Sequence, residues 1–450
     1  MKTIEFTDAV RLIDEGAAMP RAQRLQLQKQ RLRELVSYAR GHSPYFKQLY
    51  KDLPENFSLA DLPPTEKNVL NEHYNQWVTD PELSKDKVMA YVERDINDTS
   101  LLLGRYTALK TSGSTGNPLP MVRDDYINKI HSSMISRRLM KGIDPELLSP
   151  AKHRIATVIH TSPGASSYCG YLRNRAANPR HADNMMAISV LESIDSIVDK
   201  LNAFQPEVLT GYASSLILLA NEKAKGTLKI SVLAICNSAE LLTPEAYRRI
   251  TEAFDCPVLN NYCMTEGGEI AMANGGPEMR LNEDWVIVEP VNADKQPVQN
   301  NSEFSDGILI TDLSNFVQPI IRYYVSDRVK ILPPANDTDL PQLQIDGRVM
   351  EAFILGGKQY TMAAIVPKAE IWPGLIKYQA VQTDADTLQI RGVCVPGADC
   401  REVLGGLSRQ LEAYFHSNGC EKAKITYCCE PLLHNERGGK IPRYINQFQK

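Results

Sequence analysis

A chain of 450 residues is long enough for about three folding units, or for one large domain with a small one. Hydrophobic residues at 43% and charged residues at 23% are ordinary for a globular enzyme and exclude a disordered chain, a fibre or a coiled coil. With 50 basic and 54 acidic side chains the formal net charge is −4, so no global basic field advertises nucleic acid or a membrane surface. The start, MKTIEFTDAVRLIDE, turns acidic where a signal peptide needs an apolar core. No run of 18 apolar residues occurs. The expectation is a cytoplasmic protein with neither membrane nor nucleic acid as a partner.

The first hundred residues read as helices and loops. Leu32, Leu35, Val36 and Ala39 recur at helical spacing, and the basic residues of 21–33 are expected on a solvated helix face rather than on a phosphate-binding arm. From about residue 105 to 330, β-rich runs (154–160, 232–237, 258–262) alternate with helical stretches (194–203, 214–225, 243–254), which predicts α/β layers with largely parallel strands. Residues 285–290 and 307–312 read as strands without an intervening helix, so part of the sheet is expected to be antiparallel. A turn-rich break at 333–347 contains Pro333, Pro334, Asn336, Asp337 and Pro341. Beyond it come strands at 378–382 and 388–393, a helix at 400–415 and a strand at 424–428, a compact α+β unit. The nine cysteines are scattered without a CxxC pair, and an intracellular chain predicts reduced, mostly buried thiols.

The most informative segment is YTALKTSGSTGNPLP, residues 106–120. Its glycines let backbone N–H groups approach a ligand, and Thr111, Ser112, Ser114 and Thr115 add hydroxyl donors. Gly113 and Gly116 are not followed by Gly-Lys-Ser/Thr, so this is no Walker loop. Composition alone is equally compatible with a plain flexible loop.

Four segments in order resemble the adenylate-forming superfamily of acyl-CoA synthetases and adenylation domains: TSGSTGNP, NSAELL (237–242), NNYCMTEG (260–267) and PIIRYYVSD (319–327). The runs SLADLPPTEKNVL, MRLNEDWVIVEPVN and TDLSNFVQPIIRYYVSDRV are similar to its phenylacetate–CoA ligase branch, over about residues 25–443. The resemblance implies an N-terminal ATP- and carboxylate-binding domain, 1–347, with layered α/β structure and mixed sheets. It also implies a mobile C-terminal α+β lid, 348–450.

By the same resemblance, Thr111, Ser112, Gly113, Ser114, Thr115 and Gly116 wrap phosphates, while Ser238, Ala239 and Glu240 line the adenine. Asn261, Tyr262 and Cys263 flank the nucleotide, and Thr265 touches the α-phosphate. Glu266 binds Mg²⁺, a hard cation suited to carboxylate and phosphate oxygen together. Asp327 accepts from the ribose hydroxyls, and Arg348 lies near the ribose and the hinge. Lys440, in NERGGKIPR, is the catalytic lysine that stabilises charge as the acyl–phosphate bond forms. His160, Tyr168 and Tyr171 line the acid pocket.

Departures from the family pattern are informative. Leu119 stands where many relatives place a lysine. Met350 and Glu351 occupy the hinge region. The segment after Thr265–Glu266, AMANGGPEMRLNED, has no Cys or His, so no structural zinc is expected. Cys263 replaces the usual glycine and is expected as a small buried side chain rather than a nucleophile.

The function implied is activation of a carboxylic acid, aromatic by analogy with the branch, by ATP and Mg²⁺. An acyl-adenylate and pyrophosphate form, and the acyl group then passes to coenzyme A. Transfer to an amine or a carrier-protein thiol, a nucleotide-binding protein without catalysis, and a sugar nucleotidyltransferase remain as alternatives. A homodimer is implied by the branch alone.

Overall fold

The computed structural model describes residues 2–450 except 95–97, 99, 112–117, 145, 162, 191, 193, 299–302, 349–352, 361–364, 366–368, 370, 371, 418, 434–441, 449 and 450, and except the side chains of 347, 348 and 358–360. Six N-terminal helices come first: α1 (Phe6–Ala18), α2 (Arg21–His42), α3 (Pro44–Leu49), α4 (Lys67–Glu72), α5 (Tyr74–Trp77) and α6 (Lys85–Val92). The stripe expected on α2 is buried, with Leu35, Val36 and Ala39 each at 0% exposure. Its basic face is not wholly solvated, however. Arg24 is buried and donates to the Met19, Asp339 and Thr338 carbonyls. Arg31 donates to the Asp284 carbonyl at 2.7 Å and lies over the Trp285 ring. These two arginines pin α2 to a distant turn, because a buried guanidinium needs several acceptors.

A hairpin of β1 (Thr107–Lys110) and β2 (Pro120–Arg123) precedes α7 (Asp125–Met134). After Met134 the helix continues as a π-helical turn, Ile135–Leu139. Alternation follows: β3 (Ile155–Ile159), α8 (Ser166–Ala177), β4 (Met185–Ser189), α9 (Ile194–Phe204), β5 (Val208–Gly211), α10 (Ala213–Ala224), β6 (Ala234–Ser238), α11 (Pro244–Phe254) and β7 (Val258–Met264). Strands β4, β3, β5, β6 and β7 pair in parallel, as short strands separated by amphipathic helices require. After β7 the chain turns back antiparallel through β8 (Gly268–Asn274) and β9 (Met279–Leu281).

Strands β10 (Val286–Val291), β11 (Gly307–Asp312) and β12 (Tyr323–Val325) form a separate antiparallel sheet. Then β13 (Asp327–Leu332) and β14 (Gln342–Arg348) return to the large one. Its order is β13-β14-β9-β8-β7-β6-β5-β3-β4 among the described residues. The architecture is therefore α/β with mixed sheets, as expected, but the strands at 286–291 and 307–312 form a sheet of their own instead of an antiparallel part of the large one.

The C-terminal part has β15 (Phe353–Leu355), β16 (Lys358–Tyr360), β17 (Leu375–Gln382), β18 (Thr387–Cys394), α12 (Cys400–Ser417), β19 (Lys424–Cys428) and β20 (Tyr444–Asn446). Its sheet runs β19-β18-β17-β20. The core beneath it is built only from residues between Phe353 and Tyr444, with Leu404, Leu407, Leu411 and Phe415 of α12 at its centre. The expected boundary, between residues 347 and 348, falls at the end of β14. One expectation about sulfur fails here. Cys394, ending β18, and Cys400, opening α12, form a disulfide, because the turn between them, a sequence separation of 6, brings their Cα atoms to 5.7 Å, within bridging range. The other described cysteines are free thiols, and Cys429 is exposed.

Candidate functional site

The end of β7 is where the sheet changes sense, with parallel β6 on one side and antiparallel β8 on the other. Crevices form beyond the carboxyl ends of parallel strands at such a change of direction. Three expected segments project from this edge. Ser238 ends β6 and pairs in register with Asn261. Ala239 then takes a left-handed φ of 63°. Asn237 shapes this turn by donating to the Glu240 carbonyl at 3.0 Å and to Asn260 Oδ1 at 2.7 Å. The Glu240 carboxylate accepts from the Ser214 N–H at 2.8 Å, at the N-terminus of α10.

On the neighbouring strand, the Tyr262 hydroxyl donates to the Asp327 carboxylate at 2.5 Å. Asp327 is buried, at 4% exposure, and its register partner is Arg348, whose backbone alone is described. Thr265 and Glu266 occupy the turn between β7 and β8. Tyr323 donates to Glu266 Oε1 at 3.2 Å. Among the described residues Glu266 has no cationic partner, so the carboxylate is available to a cation. Cys263 is half-buried, not fully buried as expected.

The turn is rigidly supported from behind. Gly268 has φ +62°, and a Cβ there would lie 2.4 Å from His131 Cε1. His131 is buried, and its Nε2 lies 3.3 Å from Ser314 Oγ. Ser314 donates in turn to Asp312 at 2.6 Å. Burial drives His131 well below its usual range, with Arg123 and Arg173 adding to the effect. Burial also pushes Asp312 up to about 6 despite donation by Ser314. Glu269, fully enclosed, is raised by burial while Asn261 donates to it at 2.5 Å.

The base of the phosphate-loop candidate is closed by Thr111. Its Oγ1 accepts from the Leu119 N–H at 2.9 Å, and its own N–H donates to the Leu119 carbonyl at 3.0 Å. Gln318, buried on the opposite side, accepts from Val122 N–H at 2.7 Å and donates to the Pro120 carbonyl at 3.1 Å. Ser112, Gly113, Ser114, Thr115 and Gly116 lie outside the described residues, as does Lys440.

Residues of the expected acid pocket lie on β3 and α8. Tyr168 and Tyr171 stack with ring centroids 5.8 Å apart. Tyr171 is buried and its hydroxyl donates to the Met185 carbonyl, which fixes α8 to β4. The His160 N–H donates to the Tyr212 hydroxyl at 3.2 Å.

A cleft of about 510 Å³ opens beside this edge, lined by Val158, Tyr212, Ser214, Glu240 and Lys377 among others. Lys377 comes from β17 of the C-terminal part, which packs on α10. Burial lowers the Lys377 ammonium from its usual range, while Glu240 pulls it back up. Sequence patterns gave no sign of Lys377, Tyr212, Arg123 or Tyr323, because each reaches the site from a remote segment. For Tyr323 the only hint is its place within PIIRYYVSD.

Could these residues hold ATP and magnesium? Among the described residues no three His, Cys, Asp or Glu side chains converge as a metal cage. A cation at Glu266 would therefore take one protein carboxylate and fill its shell with phosphate and water oxygen, the habit of Mg²⁺. Glu266, which has no cationic partner among the described residues and accepts from Tyr323, fits that use.

Comparison with known proteins agrees at the level of fold. No known family profile matches the chain. Protein CapK of Staphylococcus aureus is 25% identical over 417 residues, covering 87% of this chain and 83% of that protein. 2-Hydroxyisobutyryl-CoA ligase, in the postadenylation state with R3-HIB-AMP, superposes with a TM-score of 0.71 at 18% identity, over 96% of this chain and 92% of that one. The same ligase in an open conformation with 2-HIB-AMP and CoA gives 0.57 at 18% identity, over 95% and 92%.

Proposed function

Starting from a chain with the fold of the adenylate-forming superfamily, we propose that it is an ATP-dependent acid–thiol ligase of the AMP-forming kind. The observation that carries this reading is the convergence of Tyr262, Asp327, Thr265 and Glu266 on one sheet edge, next to the Ser238–Glu240 turn. An aromatic hydroxyl locked to a buried carboxylate gives a flat wall and an acceptor for a ribose. The carboxylate of Glu266 lies in the turn that follows β7, without an ion-pair partner among the described residues.

In the proposed reaction a substrate carboxylate attacks the α-phosphorus of ATP. One P–O bond forms, the bond to the β-phosphate oxygen breaks, and pyrophosphate leaves with the electron pair. The nucleophile is already ionised at neutral pH, so no general base is required. Catalysis then rests on positioning and on stabilising charge. Magnesium, when bound, would neutralise the triphosphate. Asp327 holds the ribose, Tyr262 orients Asp327 and covers the adenine, and the Thr265 hydroxyl meets the α-phosphate.

Lys440 acts from the C-terminal lid, 348–450, and the phosphate loop 111–116 encloses the leaving group. The lid then turns to admit coenzyme A, which takes the acyl group as a thioester. Better superposition on a postadenylation ligase than on its open form (0.71 against 0.57) supports a lid seated near the adenylation arrangement. The packing of β17 on α10 supports it too. An aromatic acid, a cytoplasmic location and a homodimer belong to this proposal as well.

The test is product analysis. AMP and pyrophosphate, never ADP, should appear with the correct acid, and turnover should rise when CoA is added. AMP release that responds to an amine or a carrier-protein thiol but not to CoA would overturn the acceptor.

A further inference from the structure

The segment that meets the phosphates, TSGSTGNPL, contains neither lysine nor arginine, and Leu119 at its end is fully buried. Hydroxyls and backbone N–H groups can wrap a triphosphate, but its charge calls for cations as well. Two guanidinium groups stand beside the hairpin that carries this loop. Arg123 ends β2, and its register partner is Thr107, so the two side chains share a face of the hairpin. Thr107 lines a cleft of about 530 Å³ together with Ala108, Gly164, Cys169 and Arg173. Arg173 projects into that cleft from α8.

The two arginines are placed unlike structural ones. Arg123 Nη2 donates to the Thr265 carbonyl at 3.2 Å, one residue before Glu266. Arg173 Nη1 is buried and has no hydrogen-bond partner. Among the described residues neither arginine is ion-paired, whereas Arg94 in the same cleft is paired with Asp98 at 3.1 Å. Burial lowers Arg173 from the usual arginine range, and the neighbouring Arg123 lowers it further. A guanidinium held out of water beside a second cation, with a donor left over, is costly unless an anion completes the site.

We propose that Arg123 and Arg173 form an anion site for the pyrophosphate end of ATP. This inference rests on the ligase reading and supplies the cations that the loop lacks. As the Pα–O bond breaks, charge gathers on the leaving pyrophosphate, and the Arg173 fork stabilises it there. The competing source of anion is the carboxylate of the acid substrate, since α8 also carries Tyr168 and Tyr171.

The experiment titrates the full-length protein with magnesium pyrophosphate and, in parallel, with AMP, for the wild type, Arg173→Met and Arg173→Lys. Loss of a charge-assisted bidentate contact predicts pyrophosphate binding at least tenfold weaker in Arg173→Met. AMP affinity should stay within about twofold, because AMP lacks the leaving group. Arg173→Lys keeps the charge without the fork and should recover part of the loss; it also serves if the methionine variant fails to fold. Unchanged pyrophosphate affinity with intact AMP binding overturns the anion site and leaves the ligase reading standing. A rise in KM for the acid alone assigns the arginine to the substrate carboxylate and overturns the pyrophosphate assignment. Wild-type protein that binds neither AMP nor ATP removes the ligase reading itself.

Discussion

The Tyr262 hydroxyl and the Asp327 carboxylate meet at 2.5 Å, although three strands separate β7 from β13 in the sheet order. The antiparallel half of the sheet therefore curls until its last strand returns to the edge where the parallel half ends. Twist of one hand accumulating over successive strands makes such a return possible. This hydrogen bond ties together two of the segments that we assign to the nucleotide.

Tyr262→Phe removes that donor while keeping the ring. A hydrogen bond to a charged group contributes about 1.5–3 kcal/mol, but Asp327 keeps other interactions. We expect AMP to bind about three- to tenfold more weakly, with the unfolding midpoint little changed. Asp327→Ala should cost substantially more affinity. Titration of both variants with AMP gives the comparison, and equal affinity in all three proteins would detach this pair from the nucleotide.

Among the described residues the Glu266 carboxylate accepts from the Tyr323 hydroxyl and has no ion-pair partner, so its substitution should leave the fold intact. Glu266→Gln is expected to lower the rate of adenylation on the order of 10²-fold and to raise the magnesium concentration for half-maximal rate. Initial rates against magnesium concentration read both effects. A variant with wild-type magnesium dependence would remove the metal assignment.

Gly268 is constrained twice, by φ +62° and by His131, which a Cβ would meet at 2.4 Å. Gly268→Ala should destabilise the protein by about 2–4 kcal/mol, from overpacking together with left-handed strain. The double variant Gly268→Ala with His131→Ala should recover only the packing part. Denaturant unfolding of the two variants checks this, and full recovery would show that backbone strain contributes nothing.

Asp312 and His131 give stability opposite pH dependences. Asp312 is raised to about 6 from the usual carboxylate range. Its contribution is therefore present below about pH 4 and lost as pH rises through 6. His131 is held neutral by burial, so its contribution is present above about 6.5 and lost as pH falls below that value. Asp312→Asn removes the aspartate's own contribution and keeps that of His131. Stability of this variant relative to wild type should improve from pH 4 to pH 7 by about 2–3 kcal/mol at most. Unfolding free energies at pH 4 and 7 measure this, and a constant difference between the two proteins would contradict it.

Much of the fold was legible in the sequence because α/β layers advertise themselves locally. Parallel strands β3, β6 and β7 of the large sheet coincide with short β-rich runs, and α9, α10 and α11 with the expected helical stretches; the segments 237–242 and 260–267 are contiguous in the chain. What stayed hidden is held by contacts of long sequence separation. Arg123 reaches Thr265 across 142 residues, and Gln318 reaches Val122 across 196. Nothing in the local spacing of those residues marks them. Arg24 and Arg31 read as solvent-facing because charge usually is. Only the carbonyls of Thr338, Asp339 and Asp284 show why they are buried. The Cys394–Cys400 bridge was missed because reduced thiols are the ordinary condition of an intracellular chain, and only the turn between β18 and α12 brings the two together.

The central claim is that this chain adenylates a carboxylic acid. Carboxylate-dependent ATP–pyrophosphate exchange without CoA, across a panel of aryl and alkyl acids, tests it most directly. The account predicts exchange with a defined class of acid, abolished in Lys440→Ala, while that variant still converts supplied acyl-adenylate to thioester. ATP binding without exchange for any acid, or equal loss of both half-reactions in Lys440→Ala, would contradict it.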